Sequence, residues 1–192
     1  MNRDWKTVRV APCFGTIAKS ENSFRRARRR CVGSIPPRSK QEFTVRRCSI
    51  AEWGKFRRYH YLNGDIVRAA RCFGLYDDDK IIGFIGVIHF PHPKNKKIKR
   101  VTRLVILPDY QGVGLGTRFL KSVAEIYSCQ GFDFRIVTSA KNLINALNRN
   151  TNWKLKSYDK GNTPTGNSSI KQLAKTTRKN VKIASFLFIR KN

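Results

Sequence analysis

The chain predicts an α+β fold, a central mixed β-sheet flanked by helices, and three observations carry that expectation. The run Val101 to Leu107 is apolar and β-branched, of strand length, and leads through a glycine-rich turn into a helical stretch. Other short apolar runs recur on both sides of it, two of them joined by the hairpin turn Asp77-Asp78-Asp79-Lys80. A length of 192 residues fits one moderate domain with extensions, large enough to bury a core.

In chain order, residues 1–40 read as a basic arm. Arg25-Arg26-Ala27-Arg28-Arg29-Arg30 precedes a linker containing Gly33, Ser34, Pro36 and Pro37, so little fixed structure is expected before about residue 40, and residues 41–192 form the domain. Glu42 to Cys48 alternates as a first strand. Ser49 with Glu52 forms a capping box that starts a helix at Ile50, with Ile50, Trp53 and Phe56 facing inward. Asn63-Gly64 is a turn, and Asp65 caps a second short helix to Arg71. Cys72 to Tyr76 and Ile81 to Phe90 are strands, after which Pro91 and Pro93 break the chain and Lys94 to Arg100 forms a basic loop. Beyond the central strand, Phe119, Leu120, Val123, Ile126 and Tyr127 share one face at the 3.6-residue period of a helix. Phe132 to Thr138 is a strand, Leu143 to Asn150 a helix, and Trp153 to Ser157 and Ala184 to Ile189 are final strands around a polar loop.

The turn after Leu107 is the most informative stretch. Strand, glycine-rich turn and helix gather free backbone N–H groups at a helix N-terminus, where partial positive charge favours phosphate oxygens. Gly114 and Gly116 matter because a side chain there would hold a phosphate off the backbone. A nucleotide P-loop requires Gly-Lys-Ser/Thr, and Gly116-Thr117 lacks the lysine; the dinucleotide fingerprint requires glycines at 1, 3 and 6, which Gly112, Gly114 and Gly116 do not provide. What remains is Gln111-x-x-Gly114-x-Gly116. Together with Leu104-Val105-Ile106-Leu107-Pro108-Asp109-Tyr110, it resembles the central motif of the GCN5-related N-acetyltransferase (GNAT) superfamily. The resemblance is close over residues 99–131 and topological over about 42–190.

The resemblance implies an acyl-CoA transferase fold that uses acetyl-CoA or another acyl-CoA. Backbone groups of Leu104, Val105 and Ile106 would pair with the pantetheine arm, and an N–H there would stabilise the oxyanion. Gln111 and the amides of Gly112, Val113, Gly114, Leu115 and Gly116, extended by Thr117, would hold the pyrophosphate. Many members use a Glu on the central strands and a Tyr on a later helix; here Arg100, Thr102 and Arg103 occupy the strand, and Asn148 stands at the Tyr position. Candidate substitutes for acid–base work are His60 with Tyr61, in the aromatic stretch Tyr59-His60-Tyr61, and His89. Imidazole titrates near about 6.5, which suits proton transfer. His89 and His92 across a proline make a poor metal pair, so no metal is expected.

Charge bears on the partner. The net charge is +28, and residues 1–40, 41–140 and 141–192 contribute +9, +8 and +11. Such a surplus points to a polyanion, nucleic acid above all. Arg57, Arg58, Tyr59, Arg103 and Asn142 are the candidate contacts to it or to the acceptor, because a stacking ring beside guanidinium groups suits an exposed base. In this character the chain resembles the Mom-type DNA-modifying GNAT-like proteins of phages and mobile elements. Five scattered cysteines argue for free thiols in a reducing cytoplasm, and no run reaches membrane-spanning length. Three functions stay open: an acyltransferase working on or near nucleic acid, one acting on a small amine or protein N-terminus, and a non-catalytic nucleic-acid-binding version of the fold.

Overall fold

The structure is a computed structural model that describes residues 8–10, 42–60, 65–160 and 182–190. Its strands are β1 (Val8–Val10), β2 (Phe43–Arg47), β3 (Arg71–Asp77), β4 (Lys80–His89), β5 (Ile98–Ile106), β6 (Asp133–Thr138), β7 (Trp153–Lys160) and β8 (Lys182–Phe188). The helices are α1 (Trp53–Phe56), α2 (Leu115–Cys129) and α3 (Lys141–Asn148). All eight strands form one sheet in the spatial order β1-β2-β3-β4-β5-β6-β8-β7. Neighbours are antiparallel except β5 and β6, which run parallel. A parallel pair needs a long crossover, and α2 supplies it.

That crossover fixes the core. Leu115, Phe119, Leu120, Val123, Ala124 and Tyr127 form the buried stripe of α2 and pack on Val45, Phe73, Ile85, Val101, Ile106, Ile136 and Phe186 of the sheet. On the opposite face a smaller cluster joins Trp53 and Phe56 of α1 to Cys72, Phe84 and Val105. Successive β5 residues therefore face different helices: Val105 looks to α1, and Ile106 looks to α2.

Three local expectations change. Val8–Val10, inside the segment read as an arm, pair antiparallel with Phe43–Val45 and add an edge strand; residues 11–41 lie outside the described part. The first helix is a single α turn between two 3₁₀ turns, Ile50–Glu52 and Arg57–Tyr59, and Ile50 is exposed. Ser49 does cap it, its Oγ accepting from the Ala51 N–H at 3.2 Å, whereas the Glu52 carboxylate pairs with Lys55 Nζ at 2.8 Å in place of closing a capping box. The expected helix from Asp65 to Arg71 is absent, with only a turn at Arg68–Ala69 before β3. So short a segment cannot hold a helix alone, and its ends are held elsewhere: the Asp65 carboxylate meets Arg57 at 3.3 Å, and its carbonyl accepts from Arg103 at 3.0 Å.

Candidate functional site

The site begins where β5 loses a neighbour. Its parallel pairing with β6 runs from Ile98–Asp133 to Val101–Ile136 and stops, although β5 continues to Ile106. Among the described residues no strand takes up that edge of β5 from Thr102 onward. Such an edge offers unpaired N–H and C=O groups to an extended ligand. The parting coincides with a bulge. Gly86 pairs with Arg103 and Val87 with Val101, so Thr102 is one residue extra, and its Oγ1 donates to the Gly86 carbonyl at 3.1 Å. A bulge re-aims the strand beyond it, which is why bulges recur beside active sites.

The free edge leads into the glycine turn. A 3₁₀ turn, Pro108–Tyr110, ends β5, and the Tyr110 hydroxyl donates to Asp77 at 3.1 Å. Gln111 Nε2 donates to the Ile106 carbonyl at 2.7 Å, and the Gln111 backbone N–H reaches the Pro108 carbonyl at 3.1 Å. Gln111 thus braces the turn. From Gly112 to Thr117 no backbone N–H is taken by another backbone group among the described residues, and the Thr117 hydroxyl donates back to the Gly114 carbonyl at 2.9 Å. Gly112 and Gly114 have φ of +86° and +78°, and a Cβ on either would meet open space. Their need for glycine is conformational, and it leaves the amides uncovered. Gly116 differs: a Cβ there would sit 3.6 Å from Ile106 Cγ1, pointing into the fold. A methyl there would make an ordinary contact with Ile106, so the Gly116 side-chain position faces the fold and not the mouth of the turn, a distinction the spacing in the sequence did not make. Val113 is 64% exposed at the mouth of the turn. Amides without a backbone partner at the start of a 15-residue helix, with glycines among them, fit a diphosphate.

The other face of β5 carries most of the residues expected to meet the acceptor. Arg103 extends toward α1, its Cζ 5.6 Å from the centre of the Trp53 ring and its Nη1 donating to the Thr102 carbonyl at 2.9 Å. His60 is buried, 8% exposed, and meets Trp53 edge-on at 5.5 Å between centroids. Arg57, Arg58 and Tyr59 are exposed on the same turn, the Arg58 guanidinium lying 4.6 Å over the Tyr59 ring. Ile66 closes on this wall, since a Cβ on Gly86 would come within 2.6 Å of its Cδ1. His60, Arg57, Arg58, Tyr59 and Arg103 are therefore brought together, whereas Tyr61 lies outside the described residues. His89 lies about 10 Å along β4 from Gly86, the partner of Arg103, and shares the α2 face of Val87, opposite Trp53 and His60. Asn142 is exposed in the first turn of α3, and Asn148 is exposed near its end. Trp53, whose indole forms the wall, and Thr102, which makes the bulge, went unremarked as site residues. Neither residue type is diagnostic in a strand or short helix.

Two thiols near α1 are held in the protonated form. Burial, followed by the neighbouring Cys72 and Glu52, pushes the Cys48 thiol up to about 12, and burial also raises Cys72.

Comparison with known proteins bears on the family and the fold. A family model described as the acetyltransferase (GNAT) family matches residues 40–147. Among solved structures, the ribosomal-protein-S18-alanine N-acetyltransferase of Escherichia coli superposes with a TM-score of 0.55 at 14% identity, covering 78% of this chain and 96% of its own. An acetyltransferase of Bacillus subtilis, solved in complex with CoA, gives 0.56 at 10% identity, with 77% and 98% covered. Ribosomal-protein-alanine N-acetyltransferase from Brucella melitensis gives 0.55 at 10% identity, with 76% and 99% covered. A search among curated protein sequences finds no match. At these identities the solved structures speak for the fold alone, but the family model spans more than half of the sequence and takes in β5, the glycine turn and α2. The chain belongs to the acetyltransferase (GNAT) family.

Proposed function

We propose that the chain is an acyl-CoA-dependent N-acyltransferase whose acceptor amine lies on, or is held beside, a nucleic acid. The observation that carries the first half is the open edge of β5 running directly into the uncovered amides of Gly112 to Thr117. In this reading the amides of Gly112, Val113, Gly114, Leu115 and Gly116 hold the pyrophosphate of acetyl-CoA or another acyl-CoA, Thr117 adds its hydroxyl, and Gln111 keeps the turn in shape. Leu104, Val105 and Ile106 pair with the pantetheine arm. Acyl-CoA supplies a thioester carbonyl whose C–S bond breaks as the amide bond forms.

The protein's own residues handle charge and protons. An unpaired N–H on β5 near the bulge takes the oxyanion, worth a few kcal/mol when aligned. His60 takes the proton released when the amine nitrogen bonds to the carbonyl carbon, and the departing thiolate is protonated in turn; Tyr61 is the neighbouring candidate for that acid. His89 is the alternative base, and its place on the α2 face, opposite Trp53, weighs against it. Arg57, Arg58, Tyr59, Arg103 and Asn142 orient the acceptor.

The second half rests on charge. A net charge of +28 exceeds what a small amine requires of its enzyme. A DNA base, as in the Mom-type enzymes, and the amine of a nucleic-acid-bound protein are both acceptors of this description. The names of the E. coli and B. melitensis enzymes favour the protein amine as far as fold likeness reaches. Mass spectrometry of nucleosides and of proteins from cells expressing the chain separates them, and acylated free metabolite with both others unchanged would sink the nucleic-acid half. His60→Gln should lower kcat by about 10²-fold or more and remove the acid limb of the pH–rate profile, with calorimetric CoA binding unchanged. An unaltered profile would return His60 to a packing role.

A further inference from the structure

We propose that the phosphodiester backbone of the nucleic acid docks on the end of the sheet opposite the glycine turn, across Arg47, Arg71 and Lys99 on the α2 face. The inference deepens the nucleic-acid half of the proposed function and rests on it.

Strand register gathers these cations. Arg71 pairs with Val87 and Arg47 with Phe73, and both partners belong to the core under α2, so both arginines issue from that face. Lys99 pairs with His89, and its ammonium lies 4.5 Å over the ring of Phe132, which packs against the same core. The group therefore crosses β2, β3, β4 and β5 just beyond the last turn of α2. Beneath it the Tyr127 hydroxyl is buried and finds no hydrogen-bond partner among the described residues. Exposed Lys94, Lys96 and Lys97 extend the group along the loop into β5.

The acids complete the argument by where they lie. Asp77, Asp78, Asp79 and Asp109 sit at the other end, in the β3–β4 turn and beside the glycine turn. At the basic end Asp133 spends its carboxylate on Asn95 at 2.7 Å and Arg135 at 3.7 Å. Burial and then Arg71 hold the Lys99 ammonium below its ordinary range. A phosphate bound between Lys99 and Arg71 offsets their repulsion. The nine residues of β5 separate the two ends by about 26 Å, so a polyanion laid here leaves the glycine turn free for a diphosphate.

The test uses the full chain, a 20-base-pair DNA duplex and a single-stranded RNA of the same length, with affinity followed from 50 to 300 mM salt. Arg47→Gln/Arg71→Gln/Lys99→Gln should flatten the plot of log affinity against log salt by about two to three units for duplex, because each lost phosphate contact removes about 0.9. Arg47→Lys/Arg71→Lys should keep the parental slope, and calorimetric CoA binding should be unchanged in both. The relative slopes on duplex and RNA tell which phosphodiester the surface prefers. An unchanged slope in the triple variant overturns the proposal, as does a loss confined to Arg57→Gln/Arg58→Gln or a wild-type preference for phosphatidylglycerol vesicles over either nucleic acid. If the wild-type chain binds neither probe at 50 mM salt, the nucleic-acid half of the proposed function falls with it, and the acyl-CoA half stands on its own calorimetry.

Discussion

The glycine turn shows how unlike neighbouring glycines can be. Gly114→Val should abolish calorimetric CoA binding and lower stability by about 1–3 kcal/mol, because a β-branched residue at φ +78° is strained. Gly116→Ala should leave CoA binding and the thermal midpoint nearly unchanged, since its new methyl makes an ordinary contact with Ile106. Equal loss of CoA binding in both variants would mean that Gly116 also faces the phosphate. The sequence identified this turn because strand residues, Pro108 and the glycines all pointed to one conformation. It could not rank the glycines, since φ and the direction of an absent Cβ are set by packing. The same limit applies to His60 and His89, which look alike in sequence and end on different parts of the sheet. For the cysteines, alkylation at pH 8 followed by peptide mapping should label exposed Cys129 and spare Cys48. The Cys48 thiol is raised in the fold, so its contribution to stability is intact below the ordinary thiol value of 9.0 and is lost as pH climbs toward about 12. Rapid labelling of Cys48 at pH 8 would contradict its burial.

At the scale of elements, β5 is set by its two neighbours. β4 stays paired with it throughout, with Thr102 looped out, whereas β6 leaves after Val101. The apolar run at residues 101–107 forecast the strand, and nothing in it forecast the bulge or the parting, which depend on residues elsewhere in the sheet. Segment 65–70 failed as a helix for a similar reason: Asp65 and Ile66 have partners across the sheet that outweigh local propensity. Gly86 joins these features. Gly86→Val would drive side-chain atoms into Ile66 and toward Thr102 Oγ1, which a Cβ already approaches to 3.3 Å. We expect a several-fold rise in KM for the acceptor, a smaller change in KM for acyl-CoA, and a stability loss of about 1–3 kcal/mol. A change in acyl-CoA KM alone would place the bulge on the other side of the reaction.

For the whole molecule, charge and fold divide the labour. The strand and helix order was legible because each long element carries a clear apolar period, and the family assignment comes from the family model over residues 40–147. The net charge was legible too, but its arrangement was not. Strand register is what sets the β3–β4 turn, with Asp77, Asp78 and Asp79, at one end of the sheet and Arg47, Arg71 and Lys99 at the other. Linear position hides this, since Arg47, Arg71 and Lys99 are tens of residues apart in the chain.

The pairing of Val8–Val10 with Phe43–Val45 has a bearing on handling the protein. Those three residues form the selvage of the sheet, and stripping them bares a row of main-chain donors and acceptors on Phe43–Arg47. A preparation clipped after Val10 should elute from a sizing column as dimers or larger species at concentrations where the intact chain does not. Such a column trace would also warn that a fusion tag cut too close to the start of the chain can seed precipitation.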